Sequence, residues 1–256
     1  MSAEALGILS NIVRRYEPYS EYKDCGVEWL EEIPSHWKVR PLKFTATINP
    51  EELPGSTPFD YEIIYVDIGS VTLTEGIVTI EQYLFEVAPS RARRLVKHGD
   101  TILSTVRTYL KAIAYINDPP ENLIASTGFA VIRPTSELHP KFLSRFVQSE
   151  PFVNRVVKHS EGVSYPAIAP SKLGRFDVLV PPLSEQRAIG SFLDRETAKI
   201  DALIAKKEQL IALLQEKRSA LITCAVTKGL DPNVPMRDSG VEWLGQIPAH
   251  WNSPCP

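Results

Sequence analysis

Cysteine is scarce in this chain: three in 256 residues, at positions 25, 224 and 255, with no CxxC spacing among them. A disulfide framework or a zinc ribbon is therefore not expected, and the default compartment is a reducing cytoplasm. Long apolar runs are absent too, and none approaches the roughly 18 residues that span a bilayer. The weak apolar stretch near the N-terminus is followed by its basic pair, Arg14 and Arg15, where a signal peptide needs charge in front. Phosphate-loop, HExxH and GxSxG motifs are also missing, which removes the commonest nucleotide, zinc-protease and serine-hydrolase readings.

No charge of one sign dominates. Lys and Arg number 28 against 31 Asp and Glu, a net charge of −3. That excludes wholesale polyanion binding but leaves room for a local basic patch. The strongest imbalance lies between Arg91 and Lys111, where Arg91, Arg93, Arg94, Lys97, Arg107 and Lys111 face a single acid, Asp100.

What the chain does have is a line that it states twice. Residues 24–37 read DCGVEWLEEIPSHW and residues 238–251 read DSGVEWLGQIPAHW, identical at ten of fourteen positions and 214 residues apart. A fixed shift of that size marks a domain-sized repeat, far longer than a solenoid unit. The expectation is one complete module followed by the opening of a second. Trp29, Leu30, Ile33 and Trp37 read as packing anchors, with Pro34 ending a short helical turn. His36 and His250 read as hydrogen-bonding residues, and the motif as a structural dock onto the end of a long helix.

Between the two copies the pattern is first β-like. WKVRPLKFTATI, YEIIYVDIGSVTL, GIVTIEQYLF, DTILSTVRTYLKAIAYI and LIASTGFAVIRP are rich in β-branched and aromatic residues and punctuated by turn formers. One helix is expected over HPKFLSRFVQSEPFVNRVVKH, then a loop and a last strand. From Ser184 the register changes. About 45 residues run without proline, opened by Pro-Pro-Leu-Ser-Glu-Gln and closed by Lys228-Gly229. Ile189, Leu193, Ile200, Leu203, Leu210, Leu214 and Leu221 form an apolar seam, interrupted at Glu196, Lys207 and Lys217. The seam reads as an imperfect coiled-coil face; a core helix of the same domain is the plainer alternative. The fold class is thus α+β, a β-rich domain followed by one long coiled-coil-like helix. The expected divisions are a lead segment at 1–20, a domain at 21–183, the helix at 184–229, and a linker with the second repeat copy at 230–256.

GVEWLEEIPSHW, GDTILSTVR, IASTGFAVIRP, SYPAI and above all PPLSEQ with the long helix and TKGLDPNV resemble the specificity subunits of type I restriction–modification systems. The resemblance covers residues 24–251. It implies a non-catalytic subunit in which a target-recognition domain reads DNA and a long helix acts as spacer. It implies partners as well: double-stranded DNA, methyltransferase subunits and, in the full complex, restriction subunits. S-adenosylmethionine, ATP and magnesium would then belong to those partners, with no cofactor or metal on this chain. Full-length members are similar to two such modules in tandem, and this chain departs from them in having one, so pairing with a second copy or another half-subunit is expected.

Base reading needs side chains that reach groove edges, and phosphate contacts that fix register. Arg107, beside Ser104, Tyr109 and Lys111, suits base edges. Arg91, Arg93, Arg94 and Lys97 suit phosphates, and Ser164 and Tyr165 belong to a second candidate loop, Ser160–Tyr165, around Gly162. A solvated basic face and an ordinary turn are the plainer alternative. NDPP at 117–120 imitates an amino-methyltransferase motif but carries Glu121 where an aromatic is needed. The pair Asp100 and Lys111 lacks the further carboxylate that a metal-dependent nuclease requires. A scaffold that binds methyltransferase without reading DNA is the competing function.

Overall fold

The structure is a computed structural model that describes residues 18–27 and 32–251. Trp29 and Leu30, expected as anchors, lie outside the described residues, as does nearly all of the expected lead segment. The chain divides into two compact units, one ending at Phe192 and the other beginning at Leu193.

Two four-stranded sheets build the first unit. In one, Ile113–Tyr115, Thr101–Ser104, Phe129–Pro134 and Ala46–Ile48 lie in that order, all antiparallel. In the other the order is Glu81–Leu84, Glu62–Val66, Leu123–Ser126 and Ala92–Leu95, with the central pair parallel. Side chains alternate across a strand, and here both faces are covered. Leu103, Ala130 and Ile132 turn toward Phe142, Leu143, Val147, Phe152 and Val156. Their neighbours Ile102, Phe129 and Val131 turn the other way, onto Val66, Leu123 and Ala125 of the second sheet. Ile124 then points beyond that sheet to Ile63, Tyr65 and Phe85. Double coverage explains why these strands read as continuous apolar runs.

Four sequence expectations are corrected. The helix expected across residues 139–159 is two, Pro140–Gln148 and Glu150–Lys158, joined at an extended Ser149. Pro151 has no N–H to donate to the preceding turn, so the first helix stops and the second starts on that proline. The run at 100–116 is split by a 3-10 turn, Thr108–Leu110, and the run at 37–48 by a short helix, Leu42–Thr45. Residues Glu32–Pro34 form no helical turn; they pair as a strand with Tyr22–Asp24.

The long helix spans Leu183–Lys228, 46 residues, or about 69 Å at 1.5 Å per residue. Its first turns belong to the first unit. Gln186 and Gly190 are buried, and Ile189 packs against the Phe142 cluster. Ile189 is therefore core rather than free seam. Beyond Phe192 the picture inverts: Ile200, Leu203, Leu210, Leu214 and Leu221 are 48–60% exposed, joined by Ile204, Ile211 and Ile222. Among the described residues, no helix is long and apolar enough to cross a membrane.

The repeat folds twice into one hairpin. Tyr22, Lys23 and Asp24 pair with Pro34, Ile33 and Glu32; Met236, Arg237 and Asp238 pair with Pro248, Ile247 and Gln246. The Asp24 carboxylate accepts from the Gly26 N–H at 2.8 Å, and Asp238 does the same for Gly240 at 3.0 Å. Both glycines have positive φ, +69° and +74°, a conformation that a Cβ makes costly.

Candidate nucleic-acid interface and helix-start socket

The strand Thr101–Ser104 delivers the chain into a loop at one end of the first sheet, and the loop is strained. Arg107 and Lys111 bracket the 3-10 turn with φ of +53° and +52°, in the left-handed region that costs a residue with a Cβ about 1 kcal/mol or more. Such a shape persists only if its surroundings impose it. Thr105 donates its N–H and hydroxyl to the Gly128 carbonyl at 2.8 and 2.9 Å. The Arg107 N–H donates to Pro166 O, and the Ile168 N–H to Thr105 O. The hydroxyls of Thr108 and Ser160 meet at 2.8 Å.

These bonds join the two candidate loops, 52 residues apart at Thr108 and Ser160, into one rim. Residues 161–167 are closed by reciprocal Glu161–Ala167 backbone bonds of 2.8 Å. Gly162, at φ +107°, makes that turn; a Cβ there would lie 3.3 Å from the Tyr165 carbonyl oxygen. The rim exposes Tyr109, Leu110, Val163, Ser164 and Tyr165. The Arg107 guanidinium stacks over the Tyr165 ring at 4.8 Å, which holds a cation and an aromatic face at the surface together. Ser104 is buried and gives its hydroxyl to Val106 O, so it supports the rim from beneath.

The remaining cations of the basic segment stand differently. Arg91 donates to the Tyr65 hydroxyl and pairs with Asp67 at 3.2 Å; these bonds hold its pKa above the ordinary value. Arg93 stacks on Phe85. Arg94 pairs with Glu52, and Lys97 with Glu51 at 2.6 Å. Hydrogen bonds from Lys97 and Arg133 in turn hold Glu51 below the usual carboxylate range. Of the six cationic side chains only those of Arg107 and Lys111 make no ion pair or hydrogen bond among the described residues, and Arg107 has its stack on Tyr165. Asp100 is fully buried and receives Arg133 at 2.8 Å through both carboxylate oxygens, which fixes it as a structural ion pair. Among the described residues no group of three His, Cys, Asp or Glu is placed to hold a metal.

A second constellation sits where the long helix begins. The Glu185 carboxylate receives the Tyr19 hydroxyl and the Trp37 indole N–H, both at 2.9 Å, and lies 2.7 Å from His36 Nε2. Burial pushes the Glu185 pKa up, but the bonds from Trp37, His36 and Tyr19 outweigh it and leave the group below its ordinary value. Burial, with the bond to Glu185, pushes Tyr19 up to about 12. The next residue faces the other way: Gln186 accepts from His139 N–H at 2.7 Å and donates to Glu137 O and Pro181 O at 2.9 and 2.8 Å. In the sequence, Glu185 and Gln186 signal only a helix start. The recurrence of His-Trp in the repeat was the clue to their partners. The dock lies at the start of the helix for the first hairpin; the second abuts the other end, where Trp251 closes on Gly229.

Strained loops are gathered on a β-rich body whose chain continues into one long apolar-striped helix. Sequence comparison then fixes the family. A profile described as the type I restriction modification DNA specificity domain matches residues 35–213, and the chain belongs to that family. It is 27% identical over 112 residues to the StySPI specificity subunit of Salmonella potsdam, covering 44% of this chain and 24% of that one. It is 30% identical over 96 residues to the EcoKI specificity subunit of Escherichia coli K12, covering 38% and 21%. The fold resembles that of the HsdS subunit from Thermoanaerobacter tengcongensis, with a TM-score of 0.59 and 31% identity over 81% of this chain. It also resembles a chain of a type I restriction–modification system solved to explain complex assembly, with a TM-score of 0.63 and 29% identity. The chain spans 55% of each of those two solved chains.

Proposed function

We propose that this chain reads one DNA half-site through the 105–111 and 160–165 rim and carries that reader on the long helix. The observation that supports it most is the rim itself: two distant loops tied together present the unpaired Arg107 and Lys111 beside Tyr109, Ser164 and Tyr165. Arg107 is the base reader, because a guanidinium reads guanine bidentately, and Lys111 is a phosphate contact. The paired Arg91, Arg94 and Lys97 take a secondary part. Methyltransferase subunits dock on the module and supply S-adenosylmethionine, and restriction subunits supply ATP and magnesium chemistry; the subunit itself catalyses nothing and works in the cytoplasm.

The exposed seam Ile200, Leu203, Leu210, Leu214 and Leu221 is covered by a second module. A second copy packed antiparallel gives a closed twofold interface. The target is then an interrupted palindrome, whereas a different half-subunit makes it asymmetric.

The test is Arg107→Ala and Lys111→Ala in DNA binding by the complex with methyltransferase. Arg107→Ala is expected to cost about 1–3 kcal/mol and to relax discrimination at one base pair. Lys111→Ala is expected to weaken all sequences alike and to lower the salt slope by about one. If both variants bind and discriminate as the parent does, the rim reads nothing and the scaffold reading replaces this one.

A further inference from the structure

The two hairpins carry the same end, His36-Trp37 and His250-Trp251, at the same register and with the same burial: histidine exposed, tryptophan half-buried. In the first, those side chains grip a carboxylate, that of Glu185. In the second they grip none: His250 and Trp251 touch each other edge to face, and neither ring N–H has a hydrogen-bond partner among the described residues. An indole N–H and an imidazole held side by side at a half-open surface form a ready carboxylate receptor, because both donate and neither repels an anion.

We infer that the second hairpin is a receptor for the Glu185 carboxylate at the helix start of a second copy of this chain. This rests on the antiparallel pairing proposed above. In its own chain Glu185 is already held by the first hairpin, while the second hairpin abuts Gly229, just past the last residue of the helix Leu183–Lys228. Antiparallel pairing brings the end of one helix to the start of the other, and so brings His250 and Trp251 to the partner's Glu185. There the second hairpin meets a rival, the partner's own first hairpin. The rival has the advantage of a third donor: Tyr19 lies 214 positions before Asn233, which has no hydroxyl to offer. The two hairpins therefore exchange on one carboxylate, with the first hairpin favoured.

The experiment uses two differently tagged full-length copies in a background free of native cysteine (Cys25→Ser, Cys224→Ser, Cys255→Ser). One copy carries Ala249→Cys and the other Ser184→Cys, both exposed positions. A short bismaleimide is expected to join the two tags. Trp37→Phe in the Ser184→Cys copy removes the rival's indole donor and is expected to raise the yield about tenfold, the weight of one hydrogen bond to a charged group. Trp251→Phe in the other copy keeps the ring and is expected to lower it by a similar factor. Copies that light scattering shows to be paired, yet that give no cross-link or one indifferent to Trp251→Phe, overturn the receptor and leave the pairing intact. A strict monomer overturns the pairing, and the receptor with it.

Discussion

Glu185 and Gln186 show how much two adjacent side chains can organise. Successive residues of a helix point about 100° apart, so one start serves two neighbours. Glu185 collects the first hairpin through Tyr19, His36 and Trp37, while Gln186, fully buried, satisfies the backbone at 137–139 and at Pro181. Glu185→Gln keeps the size of the side chain but removes the anion that three donors face. It is expected to cost about 1–2 kcal/mol in chemical denaturation, without loss of the long helix by circular dichroism. The pH dependence has a fixed sign. Because its folded pKa is lowered, Glu185 contributes stability that is complete above the ordinary carboxyl value of about 4.3 and lost as pH falls through the lower folded one. The parent is therefore expected to lose stability on acidification where Glu185→Gln stays flatter, and identical acid limbs would remove this role. Tyr19 remains a donor throughout, since its hydroxyl does not ionise until about pH 12.

The long helix was legible almost to the residue, expected from 184 and observed from Leu183 to Lys228. Its signals are local: a proline pair in front, unbroken helix formers, a glycine with φ +78° behind. Local signals also located the strands and the helical stretch at 139–159, but not where they break, because Pro151 in the helix and the left-handed Arg107 and Lys111 after a strand act within single turns. The charge cluster was legible as composition, but its ion pairs were not. Arg91, Arg94 and Lys97 stand unopposed in sequence, yet Asp67, Glu52 and Glu51 reach them from strands and loops 24–46 residues earlier. Only topology could pair them. The seam tests its own reading. Leu203→Glu with Leu214→Glu places charges on a face that is 55–57% exposed in the single chain, so the first unit has no reason to unfold. Light scattering should show loss of self-association with an unchanged melting midpoint, whereas loss of both would make the seam part of the fold's own core.

At the scale of the whole molecule, the proposed pairing of two DNA-reading rims makes the distance between them matter more than the affinity of either. One rim engages a few base pairs, and a mismatch costs about 1–3 kcal/mol. Two rims multiply that discrimination only if both engage at once, and the helix between them decides whether they can. An antiparallel pair of helices makes the separation a property of chain length, since each residue removed from the overlapped stretch shortens it by 1.5 Å. Deleting seven residues, for example 204–210, preserves the face of the seam over two turns and withdraws about 10.5 Å. Against a rise of about 3.4 Å per base pair, the unread spacer is expected to shorten by about three base pairs while both half-site sequences stay the same. Methylation mapping with the methyltransferase partner reads both quantities in one assay. A spacer that stays at its parental length would show that the helix carries the reader without measuring anything. A changed half-site would show instead that the deletion had reached the rim.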